Sequence, residues 1–158
     1  MKIRTLAAAA LLTAALTACS GSQEPDPKAA GVKPSSTASK LSALAPAWQP
    51  KLDAAAEGAV ATCMTPSSDA CAEVLTDIMI VVNEVEREIE TPGRGPYRES
   101  TKQIAKMQAA TDKYVDEGCQ GDPAADDPNS DCWGIADITV GATTLGMTLA
   151  TDDISQPK

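Results

Sequence analysis

Four cysteines limit the fold of this chain more than any other feature. They are Cys63, Cys71, Cys119 and Cys132. In an exported protein an even number of cysteines favours disulfide bonds, and four cysteines allow three pairings. We expect the local pairs Cys63–Cys71 and Cys119–Cys132, because each pair flanks one predicted loop between two helices. Closing these loops would contribute about 2.6 and about 3.0 kcal/mol of stability on chain-entropy grounds. Zinc binding is the competing use, but the chain has no C-x-x-C pair and no histidine.

The first 18 residues have the composition of an export signal. Lys2 and Arg4 give a short positive region, and residues 5–18 are uncharged and mostly apolar. This length suits the apolar part of a signal peptide and is short for a permanent membrane-spanning helix. We therefore predict that residues 1–18 form a signal peptide that is removed on export.

The segment Leu16-Thr17-Ala18-Cys19 resembles the lipobox of bacterial lipoproteins. The resemblance covers only the N-terminal region and indicates a processing class, not a functional family. It implies that Cys19 becomes the first residue of the mature chain and carries a thioether-linked diacylglycerol, with acyl chains such as palmitate. Two acyl chains bury enough methylene groups for a firm anchor on the extracytoplasmic face of the cell membrane. The alternative is an ordinary cleaved signal with an incidental cysteine.

Composition divides the remainder of the chain. Residues 20–40 are rich in proline, serine, glycine and lysine, and they cannot bury enough apolar surface to offset the entropy of ordering. We interpret residues 19–40 as a lipidated flexible tether. Residues 41–151 are predicted to form a single helical domain, and residues 152–158 a disordered C-terminal tail.

The chain is strongly acidic, with 13 basic and 22 acidic residues. Removal of Lys2 and Arg4 with the signal peptide leaves 11 basic residues against 22 acidic ones, a net charge of −11. Such a chain has no electrostatic affinity for nucleic acid or for an anionic lipid surface. An envelope protein with a basic surface is compatible with this charge, and so is mere solubility.

Apolar spacing predicts two helices in the first half of the domain. The first is expected over residues 50–64 after a short leading turn. The second is expected to start at Thr65 as N-cap, with Pro66 at the first helical position. Its apolar residues recur at steps of four and three: Cys71, Leu75, Ile78, Val82, Val85 and Ile89. The run from Ile78 to Val82 is apolar on all sides, which is typical of a central helix or an interface.

Two further helices are expected in the second half. The third covers residues 97–117, with Gly118 as its C-terminal cap. Its predicted inward residues are Tyr97, Thr101, Ile104, Gln108, Thr111 and Val115, with Met107 and Tyr114 beside them. Residues 132–150 fit a helix or two strands, and we favour a helix because three helices need a partner of the same kind. The inward residues of this last helix would be Ile135, Ile138, Ala142, Leu145 and Leu149. The predicted fold is an all-α domain of four helices, arranged as two disulfide-linked hairpins.

The residue inventory excludes most catalytic chemistry. The chain has no histidine, so the commonest general base and metal ligand are missing. Carboxylate chemistry remains, and Glu99-Ser100 resembles the catalytic Glu-Ser pair of lytic transglycosylases. The glycine- and aromatic-rich motifs of those enzymes do not surround it, and a solvated helix start is the plainer interpretation. We expect no catalytic residue and no cofactor.

One loop has the beginning of a calcium-binding pattern. Asp127, Asn129 and Asp131 have the 1-3-5 spacing of oxygen ligands in a calcium loop. The pattern then fails, because Cys132 and Ile138 replace the usual glycine and glutamate. Ordinary loop and capping chemistry explains the same residues. We expect no metal site, with weak calcium binding as the alternative.

These features together predict a non-enzymatic binding or interaction module of the cell envelope. The alternatives are a carboxylate-dependent, glycan-active enzyme and a weak calcium-binding protein. Glu86, Glu88 and Glu90 are the candidate binding residues, because they crowd a helix end where the helix dipole disfavours negative charge. The competing interpretation is that they only solubilise an apolar helix.

Overall fold

The computed structural model describes residues 41–156, which form helices and turns without a strand. The α-helices are α1 (Ala45–Ala55), α2 (Ala59–Thr62), α3 (Asp69–Ile89), α4 (Arg98–Asp116), α5 (Ala136–Thr139) and α6 (Gly141–Ser155). Two 3₁₀ turns cover Pro123–Asp126 and Asp131–Ile135. The all-α prediction is confirmed, and the alternative of two strands after Cys132 is wrong. The predicted signal peptide, Cys19 and the tether lie outside the described residues.

The four longer helices, α1, α3, α4 and α6, form one bundle in which consecutive helices are antiparallel. The last of them, α6, packs against α1 and α4, and α3 packs against the same two helices. The short helix α5 lies against α3 and α4 near the start of α6. The largest fully buried side chains come from every long helix: Leu52, Ile78, Val82, Val85, Ile104, Met107, Leu145 and Leu149.

Both predicted disulfides are present, so the local pairing is confirmed. The Cα atoms of Cys63 and Cys71 are 4.7 Å apart, and those of Cys119 and Cys132 are 5.8 Å apart. The two disulfides lie at the same end of the bundle. One closes the connection before α3 and the other closes the segment after α4, and these two segments are in contact. The Tyr114 hydroxyl donates to the Pro66 carbonyl at 2.7 Å.

A second set of hydrogen bonds links the same two connections. The backbone N–H of Ser67 donates to Asp126 at 2.9 Å, and so does the Ser67 hydroxyl. The Gly121 N–H donates to the Ser67 carbonyl at 2.8 Å. This end of the bundle is therefore held by covalent bridges and by polar contacts between them.

The prediction of a single first helix over residues 50–64 is wrong. Helix α1 begins at Ala45 and continues through Pro50. Trp48 and Leu52 are buried on either side of that proline, and their packing against the core favours the helix despite the hydrogen bond that proline removes. The helix then ends near Gly58, whose φ of 72° is left-handed and interrupts the helical path. The short α2 follows and leads to Cys63.

Helix α3 begins three residues after the predicted position. Its N-cap is Ser68, whose hydroxyl accepts from the Cys71 N–H at 3.2 Å. The prediction of Thr65 as cap is therefore wrong, and Pro66 is a buried residue of the preceding connection. The predicted inward face is correct, since five of its six residues are buried and Ile89 is partly buried against the core.

Helix α4 has the predicted end but a rotated inward face. Gly118 has a φ of 62°, and the Cys119 N–H donates to the Tyr114 carbonyl at 3.2 Å. This is a Schellman cap, as the glycine predicted. Thr101 and Val115 are exposed, against prediction, whereas Ser100 is fully buried. The rotation turns Ser100 towards α6, where it finds a polar partner that the spacing of apolar residues does not reveal.

The helical domain extends further towards the C-terminus than the sequence predicts. The five predicted inward residues of the last segment are all buried. Helix α6, however, extends through Asp152 and Asp153 to Ser155. Asp152 is buried, so the prediction of a disordered tail from residue 152 is wrong for residues 152–155, and residues 157–158 lie outside the described range. Within the described part of the chain, no helix combines the length and the apolarity needed to cross a membrane.

Candidate binding groove

A groove lies between α3 and α4, and its central part is apolar. This part has a volume of about 290 Å³. Its apolar lining comes from three helices and includes buried as well as exposed side chains: Leu75, Met79, Ile80, Tyr114, Val115 and Ile138. Ile138 of α5 lies beneath α3 and α4, so the groove has a floor of core residues and rims from the two long helices.

The two rim residues are apolar and more than half exposed. Ile80 is 53% exposed and Val115 is 68% exposed. Ile78 and Val82, on either side of Ile80 in the sequence, are completely buried. The apolar run in α3 therefore serves the core with one side and leaves the other side at the surface. Exposed apolar side chains grouped along a groove are typical of an interaction site.

The two ends of the groove are polar and acidic. One end is lined by Glu73, Asp77 and Gln120, and it shares Ala72 and Thr76 with the apolar centre. The other end is lined by Asn83, Gln108 and Asp112, and it shares Met79 and Thr111 with the centre. The three parts are thus continuous along α3 and α4. No lysine or arginine from residues 41–156 lines any of them.

The glutamates predicted as binding residues lie at the far end of α3, and two of them have partners within the domain. Glu86 is half-buried and accepts from the Gln108 side chain at 2.9 Å. Glu88 forms an ion pair with Arg94 at 3.3 Å. Glu90 alone is fully at the surface.

Arg94 gives a structural reason for the acidic end of α3. Its side chain is only 7% exposed, and it donates to the Ser42 carbonyl at 2.8 Å as well as to Glu88. A guanidinium group at a helix C-terminus interacts favourably with the helix dipole and offsets the neighbouring carboxylates. Glu86 and Glu88 therefore support the fold, whatever else they do.

Two consecutive acidic residues of α6 organise the same end of the bundle. Asp152 accepts from the N–H and the hydroxyl of Ser100, at 2.9 and 2.8 Å. Asp153 accepts from the N–H groups of Leu44 and Ala45, at 3.0 and 2.8 Å. It also accepts from the hydroxyl of Tyr97. Burial and this carboxylate together raise the pKa of Tyr97 to about 12.

The Glu99-Ser100 pair does not form an open carboxylate–hydroxyl site. The Ser100 hydroxyl is buried and donates to Asp152. The Glu99 carboxylate is at the surface and pairs with Lys102 at 2.7 Å. The pair therefore lies at a helix start, with one side chain directed into the domain and the other at the surface.

The candidate calcium ligands bond to each other or to a lysine. Asp127 accepts from the N–H and the side-chain amide of Asn129, at 2.8 and 3.1 Å. Asp131 pairs with Lys113 at 2.6 Å. Across residues 41–156, no group of three or more cysteine or acidic residues is placed to hold a metal ion.

The groove was not predicted as a site. Among its lining residues, only Met79 and Ile80 belong to a sequence pattern that indicates an interface, the apolar run in α3. Val115 was placed in the core, and Asp77 and Asp112 resemble any solvated helical residue until α3 and α4 are packed together. The fold and the groove define a small, disulfide-linked, all-α domain whose groove has an apolar centre and acidic ends. Comparison with models of known families, with curated proteins and with solved structures found no match.

Proposed function

We propose that this chain is an exported, lipid-anchored protein of the bacterial cell envelope, and that its domain binds a partner outside the membrane. Two features support export and anchoring. The sequence around Cys19 resembles a lipobox. The domain contains two disulfides, which form and persist in oxidising compartments outside the cytoplasm.

The observation that carries the binding proposal is the unbalanced charge of the surface. Residues 41–156 contain 20 acidic and 7 basic residues. Four of the basic side chains pair with carboxylates: Arg94, Lys102, Lys106 and Lys113. The amine of Lys51 lies 3.8 Å from the centre of the Trp48 ring. Glu73, Asp77, Glu90 and Asp112 are exposed, and none has an ion-pair partner among the described residues. An acidic surface of this kind favours a partner with a basic face and accelerates its association.

Anchoring is tested by replacing Cys19. Cys19→Ala should release the protein from the membrane fraction or leave it unprocessed, because the lipid is attached through that thiol. Cys63→Ala combined with Cys71→Ala is a matched control, since it removes cysteines without touching the lipobox. Unchanged processing and membrane retention of Cys19→Ala would contradict the proposal.

Binding is tested by capturing envelope components on the immobilised mature protein at low and high salt. A captured partner should associate more slowly as salt rises, because screening weakens the attraction between opposite charges. Retention of no envelope component at either salt concentration would remove the support for a binding function.

The candidate binding residues Glu86, Glu88 and Glu90 need a selective test. Glu86→Lys and Glu88→Lys would break the contacts with Gln108 and Arg94, so a loss of binding could reflect a damaged fold. Glu90→Lys changes the exposed charge alone. If partner affinity and its salt dependence stay unchanged in Glu90→Lys, the end of α3 is solvated surface and not the binding site.

A further inference from the structure

We propose that the groove between α3 and α4 is the docking site for an amphipathic helix of a partner protein, with basic residues flanking its apolar face. This inference rests on the proposed binding function and specifies its site and the chemistry of the partner. It rests on the shape of the groove, on the exposure of its rim and on the charges at its two ends.

The centre of the groove is suited to apolar side chains. Its floor contains Leu75 and Ile138, which are buried, and its rims carry Ile80 and Val115, which are mostly exposed. A partner that covers the rims removes apolar surface from water, which is the main favourable term in association. The rims belong to two long antiparallel helices, so the groove is linear and follows their direction.

The dimensions favour a helix as the occupant. From Glu73 to Asn83 the groove follows α3 for about 15 Å, at about 1.5 Å per helical residue. A partner helix of about three turns spans this distance and presents apolar anchors at steps of three and four residues.

The ends of the groove define the charge of the partner. Glu73 and Asp77 line one end, and Asp112 lines the other. All three are exposed, and no basic side chain lines the groove. A lysine or arginine on each side of the apolar anchors would therefore meet an unpaired carboxylate. A second copy of this chain is a poor occupant, because acidic residues outnumber basic ones in its domain and two such surfaces repel each other.

The test uses the mature chain with Cys19→Ser, so that no attached lipid competes for the apolar groove. The probe is a synthetic amphipathic helical peptide with leucines on one face and lysines beside them. A second peptide keeps the leucines and has glutamate at each lysine position. We expect the basic peptide to bind at least about tenfold more tightly than the acidic one, and its affinity to fall as salt rises.

Variants locate the binding site on the protein. Ile80→Lys and Val115→Lys should each weaken the basic peptide at least about tenfold, because they place a positive charge on the apolar rim. Val140→Lys is the matched control, since Val140 is 55% exposed but does not line the groove. Asp77→Asn combined with Asp112→Asn should weaken binding of the basic peptide. Asp53→Asn, on the exposed side of α1, is the control and should leave that binding unchanged.

Each other outcome overturns the inference in a distinct way. Equal binding of both peptides contradicts the charge assignment, and binding of neither contradicts docking of a basic helix. Binding that survives Ile80→Lys and Val115→Lys contradicts the site. Self-association that those two variants abolish would assign the groove to a second copy. If a captured envelope partner binds these variants as tightly as the unchanged protein, the groove inference fails while the binding function stands.

Discussion

The Asp152 carboxylate of α6 holds Ser100 in the first turn of α4 through two hydrogen bonds, to its backbone N–H and its hydroxyl. Helix α4 has no cap from its own N-cap residue, Tyr97. Asp152 supplies that cap from another helix. Because Asp153 does the same for the first N–H groups of α1, two consecutive carboxylates fix the N-termini of the two long helices that pack against α6.

This arrangement predicts that Asp152 is important for stability. Asp152→Ala should lower the free energy of unfolding by more than about 2 kcal/mol, because the buried donors of Ser100 lose their acceptor. Asp152→Asn should cost less, since its amide carbonyl can still accept. Urea unfolding of the oxidised protein measures both values. Asp53→Ala on α1 is the control, and its effect should stay within about 0.5 kcal/mol. Equal effects of Asp152→Ala and Asp53→Ala would show that the cap contributes nothing.

The raised pKa of Tyr97 predicts a loss of stability at high pH. The fold favours the protonated phenol, so its contribution is complete below the ordinary pKa of 10.0 and is lost as pH rises towards about 12. Unfolding in urea at neutral and strongly alkaline pH should show this decline. In Tyr97→Phe the decline in stability should be smaller. Part of the decline should remain, because burial also raises the pKa of Tyr114. A tyrosinate absorbance titration in which both tyrosines ionise with ordinary pKa values would contradict the prediction.

The location of both disulfides at one end predicts unequal local stability. Replacing Cys119 and Cys132 with alanine should lower the free energy of unfolding by about 3 kcal/mol. Hydrogen exchange should then accelerate first in the connections around Ser67 and Asp126, which the bridges hold together. The end around Asp152 has no disulfide among the described residues, and its amides should keep their protection. Acceleration spread evenly over the bundle would show that the two ends are not independent.

The main outline of the fold follows from local patterns in the sequence. The α3 face and the inward residues of the last segment are correct because apolar side chains recur at helical spacing. The cap at Gly118 and the two disulfides are correct for a similar reason, since each depends on residues close together in the chain.

The errors arise where distant residues decide the local structure. The continuation of α1 through Pro50 depends on packing around Trp48 and Leu52 and on the cap from Asp153. The rotation of α4 depends on Asp152, a polar residue that sequence patterns place in a tail. The groove required α3 and α4 to be placed side by side before Ile80 and Val115 could be recognised as two rims of one surface.

The central claim is that this acidic, disulfide-linked domain works outside the cytoplasm on a lipid tether. The intact mass of the protein isolated from the membranes of its own cells tests this claim most directly. We predict a chain that begins at Cys19, carries diacylglycerol on that residue, and lacks the hydrogens that two disulfides remove. A mass that corresponds to the uncleaved 158-residue chain with free thiols, or to a cleaved chain without lipid, would contradict it.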